Sequence, residues 1–188
     1  MKELSFVLQY IKKPRATGAI LPSSNYLADK MIEDINFEQA RCIVEYGPGT
    51  GIFTEKLLEN RQRNTTVMLF EYNYDFYNLL KDKFKNEENL IIVNDSAENV
   101  GNYLEKYGIT NVDYVVSGLP FASLPKEISE NILKQTKIIL KRDGKFVTFQ
   151  YSRFKIKFIK KYFKYIDLKR EFRNVPPAYV LNCINYNQ

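Results

Sequence analysis

The sequence contains no histidine. That absence removes Ser–His and Cys–His nucleophilic schemes and every metal site built on imidazole, and no metal is expected. Only two cysteines are present, Cys42 and Cys183. Each sits in an apolar strand-like run, so buried free thiols in a reducing compartment are expected. No apolar run reaches the roughly 18 residues of a membrane span. The N-terminus places Lys12, Lys13, Pro14 and Arg15 after a short amphipathic stretch, without the small-residue cleavage site of a signal peptide. A cytoplasmic location is therefore expected, with peripheral attachment to the inner face of the membrane left open. No repeat, low-complexity tract or linker interrupts the chain. One domain over 1–188 is expected, with an N-terminal helical or lid segment at 1–35 and a core at 36–188.

What is present fits that reading. The 188 residues are 45% hydrophobic and 27% charged, a globular composition with enough chain for one core. The net charge of +6 is unevenly spread. Residues 1–15 carry four cations and one anion, and residues 141–173 carry twelve cations and three anions. Residues 31–140 carry eleven cations against seventeen anions. Basic ends around an acidic middle suit an anionic partner, either a membrane surface or RNA; solvated faces are the plainer alternative.

Apolar spacing predicts a short helix at 3–12, a loop at 17–24 and a helix at 24–34. Strands at 41–46, 66–71, 90–93, 112–117 and 145–151 then alternate with helices at 51–60, 74–85, 96–106 and 125–140. Asp95 with Glu98 is expected to form a capping box, and Pro125 suits a first helical turn. Residues 153–163 set Phe154, Phe158, Ile159, Tyr162 and Phe163 on one side of a helix, opposite a set of lysines. Two final strand-like runs, 164–172 and 178–186, flank Asn174-Val-Pro-Pro177 and are expected to pair antiparallel. Alternating strands and helices imply an α/β fold with a parallel sheet covered on both faces.

Glu45-Tyr46-Gly47-Pro48-Gly49-Thr50-Gly51 falls where the first strand gives way to the first helix. Ligands of open α/β sheets bind there, and a glycine-rich turn lets backbone N–H groups reach a carboxylate. The spacing is G-x-G-x-G after an acidic residue, not the G-x-G-x-x-G of dinucleotide sites. Glu45 can meet an ammonium, which a nicotinamide dinucleotide does not have. Glu71 ends the second strand, where a carboxylate binds ribose hydroxyls, and Tyr72 follows it. Asp95, Ser96 and Ala97 follow the third strand, in reach of an adenine. The set fits S-adenosylmethionine, with Ser23 and Ser24 as further contacts. Ser117, Gly118, Leu119, Pro120 and Phe121 end the fourth strand, facing the position of a transferable methyl. Tyr26, Tyr151 and Tyr179 lie in segments able to close over the site, and Tyr151 is the tyrosine singled out with the acceptor loop.

Four segments resemble the bacterial phospholipid N-methyltransferases, which are relatives of the rRNA adenine dimethylases. They are Gly18-Ala-Ile-Leu-Pro-Ser-Ser24, Val44 through Thr54, Ser117-Gly-Leu-Pro-Phe121 and Asn174-Val-Pro-Pro-Ala178. The resemblance implies a Rossmann-like class I methyltransferase: a seven-stranded, mostly parallel sheet with a C-terminal antiparallel hairpin, preceded by N-terminal helices. It also implies a membrane-contacting helix at the N-terminus. The adenine dimethylases carry Asn-(Leu/Ile)-Pro-(Tyr/Phe) at the acceptor loop, where this chain has Gly118 and no Asn. They also add a helical RNA-binding domain, for which 188 residues leave no room. Both departures favour a phospholipid amine such as phosphatidylethanolamine over an RNA adenine as acceptor. A small amine is a further alternative.

Overall fold

The computed structural model describes residues 24–152 and 156–186. The predicted helix at 3–12, Ser23 and Phe154 lie outside the described residues. Seven strands form one mixed sheet: β1 (Cys42–Tyr46), β2 (Thr66–Phe70), β3 (Leu90–Val93), β4 (Val112–Ser117), β5 (Leu140–Gln150), β6 (Tyr165–Glu171) and β7 (Ala178–Ile184). Their order is β3-β2-β1-β4-β5-β7-β6. The first five are parallel; β7 pairs antiparallel with both β5 and β6. The chain winds outward from β1 through β2 to β3, then returns to β4 beside β1. That reversal makes a crevice at the carboxyl ends of β1 and β4.

Burial follows the strand period of two. Cys42, Val44 and Tyr46 of β1 join Met68, Phe70 and Phe146 in a core on one face. That core is closed by Val100 and Leu104 of α4 (Val100–Lys106) and by Ile132 and Leu133 of α5 (Lys126–Ile139). Ile43, Val67, Leu69 and Val147 face the opposite core. There they meet Leu27 and Met31 of α1 (Asn25–Ile32) and Phe53 and Leu57 of α2 (Ile52–Asn60). A central strand buried at all five positions is what a sheet covered on both sides requires. The remaining helix, α3 (Tyr74–Lys83), is capped by Asn73, whose side chain accepts the N–H groups of Asp75 and Phe76.

Three local expectations are corrected. The capping-box reading of Asp95 and Glu98 fails: Ser96 caps a single 3₁₀ turn, Ala97–Asn99, and α4 begins only at Val100. Asp95 instead accepts from Ser96 N, Asn99 Nδ2 and the Tyr103 hydroxyl. Strand β5 starts at Leu140, not 145, because its register slips between Val112 and Tyr114 of β4. Asp113 lies at that slip, and its carboxylate accepts the N–H groups of Arg41 and Cys42 and pairs with Lys141. Of the amphipathic helix expected at 153–163, the described residues hold one turn, α6 (Ile156–Ile159), followed by turns. Its apolar residues Ile156, Ile159 and Phe163 pack into the sheet core while Lys157, Lys160 and Lys161 face solvent. Among the described residues no helix is long and apolar enough to cross a membrane.

Candidate active site

The glycine loop is tied to strands on both sides. Gly47 N–H donates to Phe70 O at 2.9 Å, and Gly118 N–H donates to Tyr46 O at 2.8 Å. Gly47, Gly49 and Gly51 all have positive φ, at 63°, 56° and 85°. Position 49 is needed for its backbone rather than for packing: a Cβ there would meet nothing within 4 Å. The loop therefore presents bare backbone to open space where α2 begins, a setting for a carboxylate. Thr50 is exposed, and its carbonyl accepts from Lys83 Nζ at 2.9 Å. Lys83 also pairs with Glu55 at 2.9 Å, so α3 steadies the loop from outside.

Glu45 points to the α2 face, below the loop. It is fully buried, and Oε2 accepts the Thr54 hydroxyl at 2.7 Å. Its other oxygen, Oε1, is buried with no hydrogen-bond partner. Burial pushes the carboxyl up to about 8, opposed by the Thr54 hydroxyl and aided by the negative charge of Glu71. An orphaned buried carboxylate oxygen beside a donor-rich loop fits the ammonium and carboxylate of an amino-acid tail.

Glu71 is also buried. Its Oε2 accepts Gly49 N–H at 3.0 Å and its Oε1 accepts Asn73 N–H at 2.8 Å. Burial raises its affinity for a proton; the N–H groups of Asn73, Gly49 and Tyr72 oppose that. Each oxygen keeps a further lone pair, enough for a pair of sugar hydroxyls. Asn94 donates to the carbonyls of Glu71 and Tyr72 at 2.8 and 3.3 Å, bringing the ends of β2 and β3 together. Ala97 is buried, and Asp95 and Ser96 are half-buried beside it.

Not every residue expected at the site turns its side chain toward it. Tyr46 is wholly in the core, edge-on to Phe70 and touching Thr136, so only its carbonyl reaches the loop. Phe121 is equally buried, edge-on to Phe146. Leu119 and Pro120 stay half-buried, and Ser117 Oγ accepts Leu119 N–H at 3.2 Å. Tyr151 packs edge-on to Phe149 on the α1–α2 face. Tyr26 lies under the Arg173 guanidinium at 4.4 Å. Tyr179 receives a hydrogen bond from Arg170 at 3.1 Å. Ser24 caps α1, and its N–H and hydroxyl donate to Asn174 Oδ1 at 3.2 and 2.7 Å. Thr54, Asn73, Lys83 and Asn94 were not singled out as site residues from the sequence. Of these, Thr54 had a local signal: it opens a helix that must pack under the strand carrying Glu45.

At Gly118 the cofactor and acceptor loops meet backbone to backbone. A Cβ at this position would sit 2.7 Å from the carbonyl oxygen of Gly47. No side chain fits there while the two loops keep their hydrogen bond.

A switch-point crevice, a glycine turn under an acid and a second acid at the end of the next strand define an S-adenosylmethionine-dependent methyltransferase of class I. Residues 13–152 match the family model described as ribosomal RNA adenine dimethylase, and the chain belongs to that family. Among curated relatives, it is 31% identical to the ornithine lipid N-methyltransferase of Singulisphaera acidiphila, over 95% of this chain and 93% of that one. It is 26% identical to the ribosomal RNA small subunit methyltransferase A of Borreliella burgdorferi, over 88% of this chain but only 61% of that one. A solved structure, the 1,6-didemethyltoxoflavin-N1-methyltransferase of Burkholderia thailandensis with bound S-adenosylhomocysteine, shares the fold. It covers 99% of this chain and 88% of its own at a TM-score of 0.69 and 12% identity. The cofactor is S-adenosylmethionine. Among the described residues no cluster of three or more His, Cys, Asp or Glu is placed to hold a metal.

Proposed function

We propose that the enzyme methylates the amine of a membrane lipid, of the phosphatidylethanolamine or amino-acid-headgroup kind. The observation that carries this reading is Gly118. An amide side chain that would hold an adenine amino group has no space at that position. The acceptor loop is left with backbone carbonyls and the apolar side chain of Leu119, a surface that suits a flexible alkylamine better than a flat base. The similarity to a lipid N-methyltransferase along nearly its whole length supports the same choice.

The bound cofactor supplies a methyl group activated on a sulfonium. Held by the site residues, it would offer that methyl to the amine nitrogen in line with the sulfur, which would leave as the neutral thioether. The protein contributes positioning and exclusion of water more than acid–base chemistry. Gly47–Gly51 and Glu45 hold the amino-acid tail, Glu71 holds the ribose, and the Ser117–Phe121 loop fixes the approach of the amine. The amine must give up its proton to offer a lone pair, and with no histidine present a carboxylate, a tyrosine or water would take it.

The test supplies methyl-labelled cofactor and, in separate reactions, liposomes containing phosphatidylethanolamine, an ornithine lipid, ribosomal RNA or a soluble alkylamine. Label in a lipid is expected. Label confined to RNA or to the soluble amine overturns the reading.

A further inference from the structure

The hairpin turn between β6 and β7 shows an unusual division of labour. Its Glu171 and Asn174 side chains face inward, while Arg173 is exposed. Asn174, almost fully buried, accepts both donors of Ser24 and donates to Pro176 O at 2.7 Å. Glu171 accepts Arg173 N, Nε and Nη2, each at 2.9 Å. Its apolar groups face outward. Phe172 is 68% exposed and Val175 70% exposed, next to the exposed Pro176 and Pro177. A turn in water ordinarily does the reverse.

The position of this tip is set by register. Ser117 pairs with Thr148, two residues short of the end of β5 at Gln150. Gln150 lies opposite Tyr179, and Tyr179 opposite Arg170. The tip at 172–177 therefore projects past the same sheet edge that carries the acceptor loop. In the order β4-β5-β7-β6 it stands two to three strand spacings from β4, roughly 10–14 Å.

We propose that this tip is a membrane-docking element that inserts Phe172 and Val175 among the headgroups of an anionic bilayer. The assignment rests on the lipid-amine reading above and says which part of the molecule meets the lipid. Three features choose a bilayer as the occupant. The two exposed apolar side chains sit on one turn already fixed from within, so little ordering is needed on contact. Pro176 and Pro177 carry no N–H, which reduces the donors left bare when the turn leaves water. Arg170 lies 5.8 Å from the Phe172 ring and donates to the Tyr179 hydroxyl, and neither contact is an ion pair with a carboxylate. A guanidinium at the root of an apolar tip is placed to take lipid phosphates. An RNA backbone would use the arginine and leave Phe172 and Val175 without a role.

The chain has no tryptophan, so Phe172→Trp makes a unique optical reporter. With the full-length variant, vesicles of phosphatidylcholine and phosphatidylglycerol are expected to shift its emission to the blue. Quenchers within the acyl region should dim it, and pure phosphatidylcholine should act more weakly. A second variant, Phe172→Glu with Val175→Glu, should lose vesicle co-sedimentation by roughly tenfold or more, with cofactor binding by calorimetry unchanged. Emission that is already blue in buffer and indifferent to vesicles overturns the proposal, since another part of the chain then covers the tip. Emission that shifts with RNA but not with vesicles also overturns it. Equal sedimentation of the wild type and the double variant overturns the hairpin assignment alone, provided label still enters lipid. Loss of label in every lipid overturns the acceptor reading instead.

Discussion

The carboxylate of Glu71 accepts the backbone N–H of Gly49 at 3.0 Å, so the acid expected to hold the ribose also holds the loop expected to hold the amino-acid tail. One side chain thus links the two halves of the cofactor site. Glu71→Ala removes a charged acceptor from two buried N–H groups as well as from the sugar, a loss of about 1.5–3 kcal/mol for each charged hydrogen bond. Affinity for S-adenosylhomocysteine, measured by calorimetry, should fall at least tenfold. Glu71→Gln keeps an acceptor and should fall less. Equal affinity of Glu71→Ala and the wild type would remove Glu71 from the site.

Cofactor binding is expected to depend on pH through Glu45. Its carboxyl stands at about 8 in the cofactor-free protein, well above the ordinary carboxylate range, because it is buried. The native state then holds a proton that the unfolded chain has released over the interval between the two values. Stability of the free protein from this group is full at low pH and declines as pH rises toward 8. An ammonium opposite Oε1 favours the ionised form, so binding below that value should release a proton and tighten as pH rises. Calorimetry in buffers of different ionisation heats measures the release directly. Glu45→Gln should abolish the released proton and weaken binding; unchanged proton release in this variant would rule out Glu45 as its source.

Gly118→Asn tests the acceptor loop. The new Cβ would lie 2.7 Å from Gly47 O, so the loops must part and the Gly118–Tyr46 hydrogen bond must lengthen or break. Overpacking of this kind costs about 1–3 kcal/mol. A lower midpoint in thermal melts and a loss of transfer to lipid are expected, with no gain of adenine methylation. A variant that folds normally and acquires RNA methylation would show that the loops accept an amide side chain at 118, and the argument from space would fail.

These residues also show what was legible in the sequence. Spacing between Glu45, the glycines and Glu71 located the crevice, since each follows a strand end and strand ends share one edge. Strand alternation was enough to predict that Tyr46 faces the same core as Cys42 and Val44, yet its adjacency to the glycines drew it into the expected site. The start of β5 was hidden because Asp113, Arg41, Cys42 and Lys141 come from distant parts of the chain. Asp95 and Ser96 both suit a helix cap, and which one caps depends on where Tyr103 places its hydroxyl. The partnership of Ser24 and Asn174 spans 150 positions and has no local signature.

That last pair makes its own prediction. Asn174 Oδ1 takes the Ser24 N–H and hydroxyl, while Ser24 Oγ accepts Leu27 N–H at 3.2 Å to cap α1. The start of α1 and the β6–β7 turn are therefore fixed to each other through one amide. Asn174→Ala would leave the part-buried Ser24 N–H and the Pro176 carbonyl without their partner, at about 0.5–1.5 kcal/mol for each hydrogen bond lost. Asn174→Asp keeps an acceptor for Ser24 but sets a buried carboxylate against the Pro176 carbonyl, so it should not rescue the loss at neutral pH. Denaturant melts should place both variants below the wild type. In Asn174→Ala, hydrogen exchange should quicken at the first turn of α1 and at the β6–β7 turn together. Faster exchange at the turn alone would mean that the helix is held by other contacts.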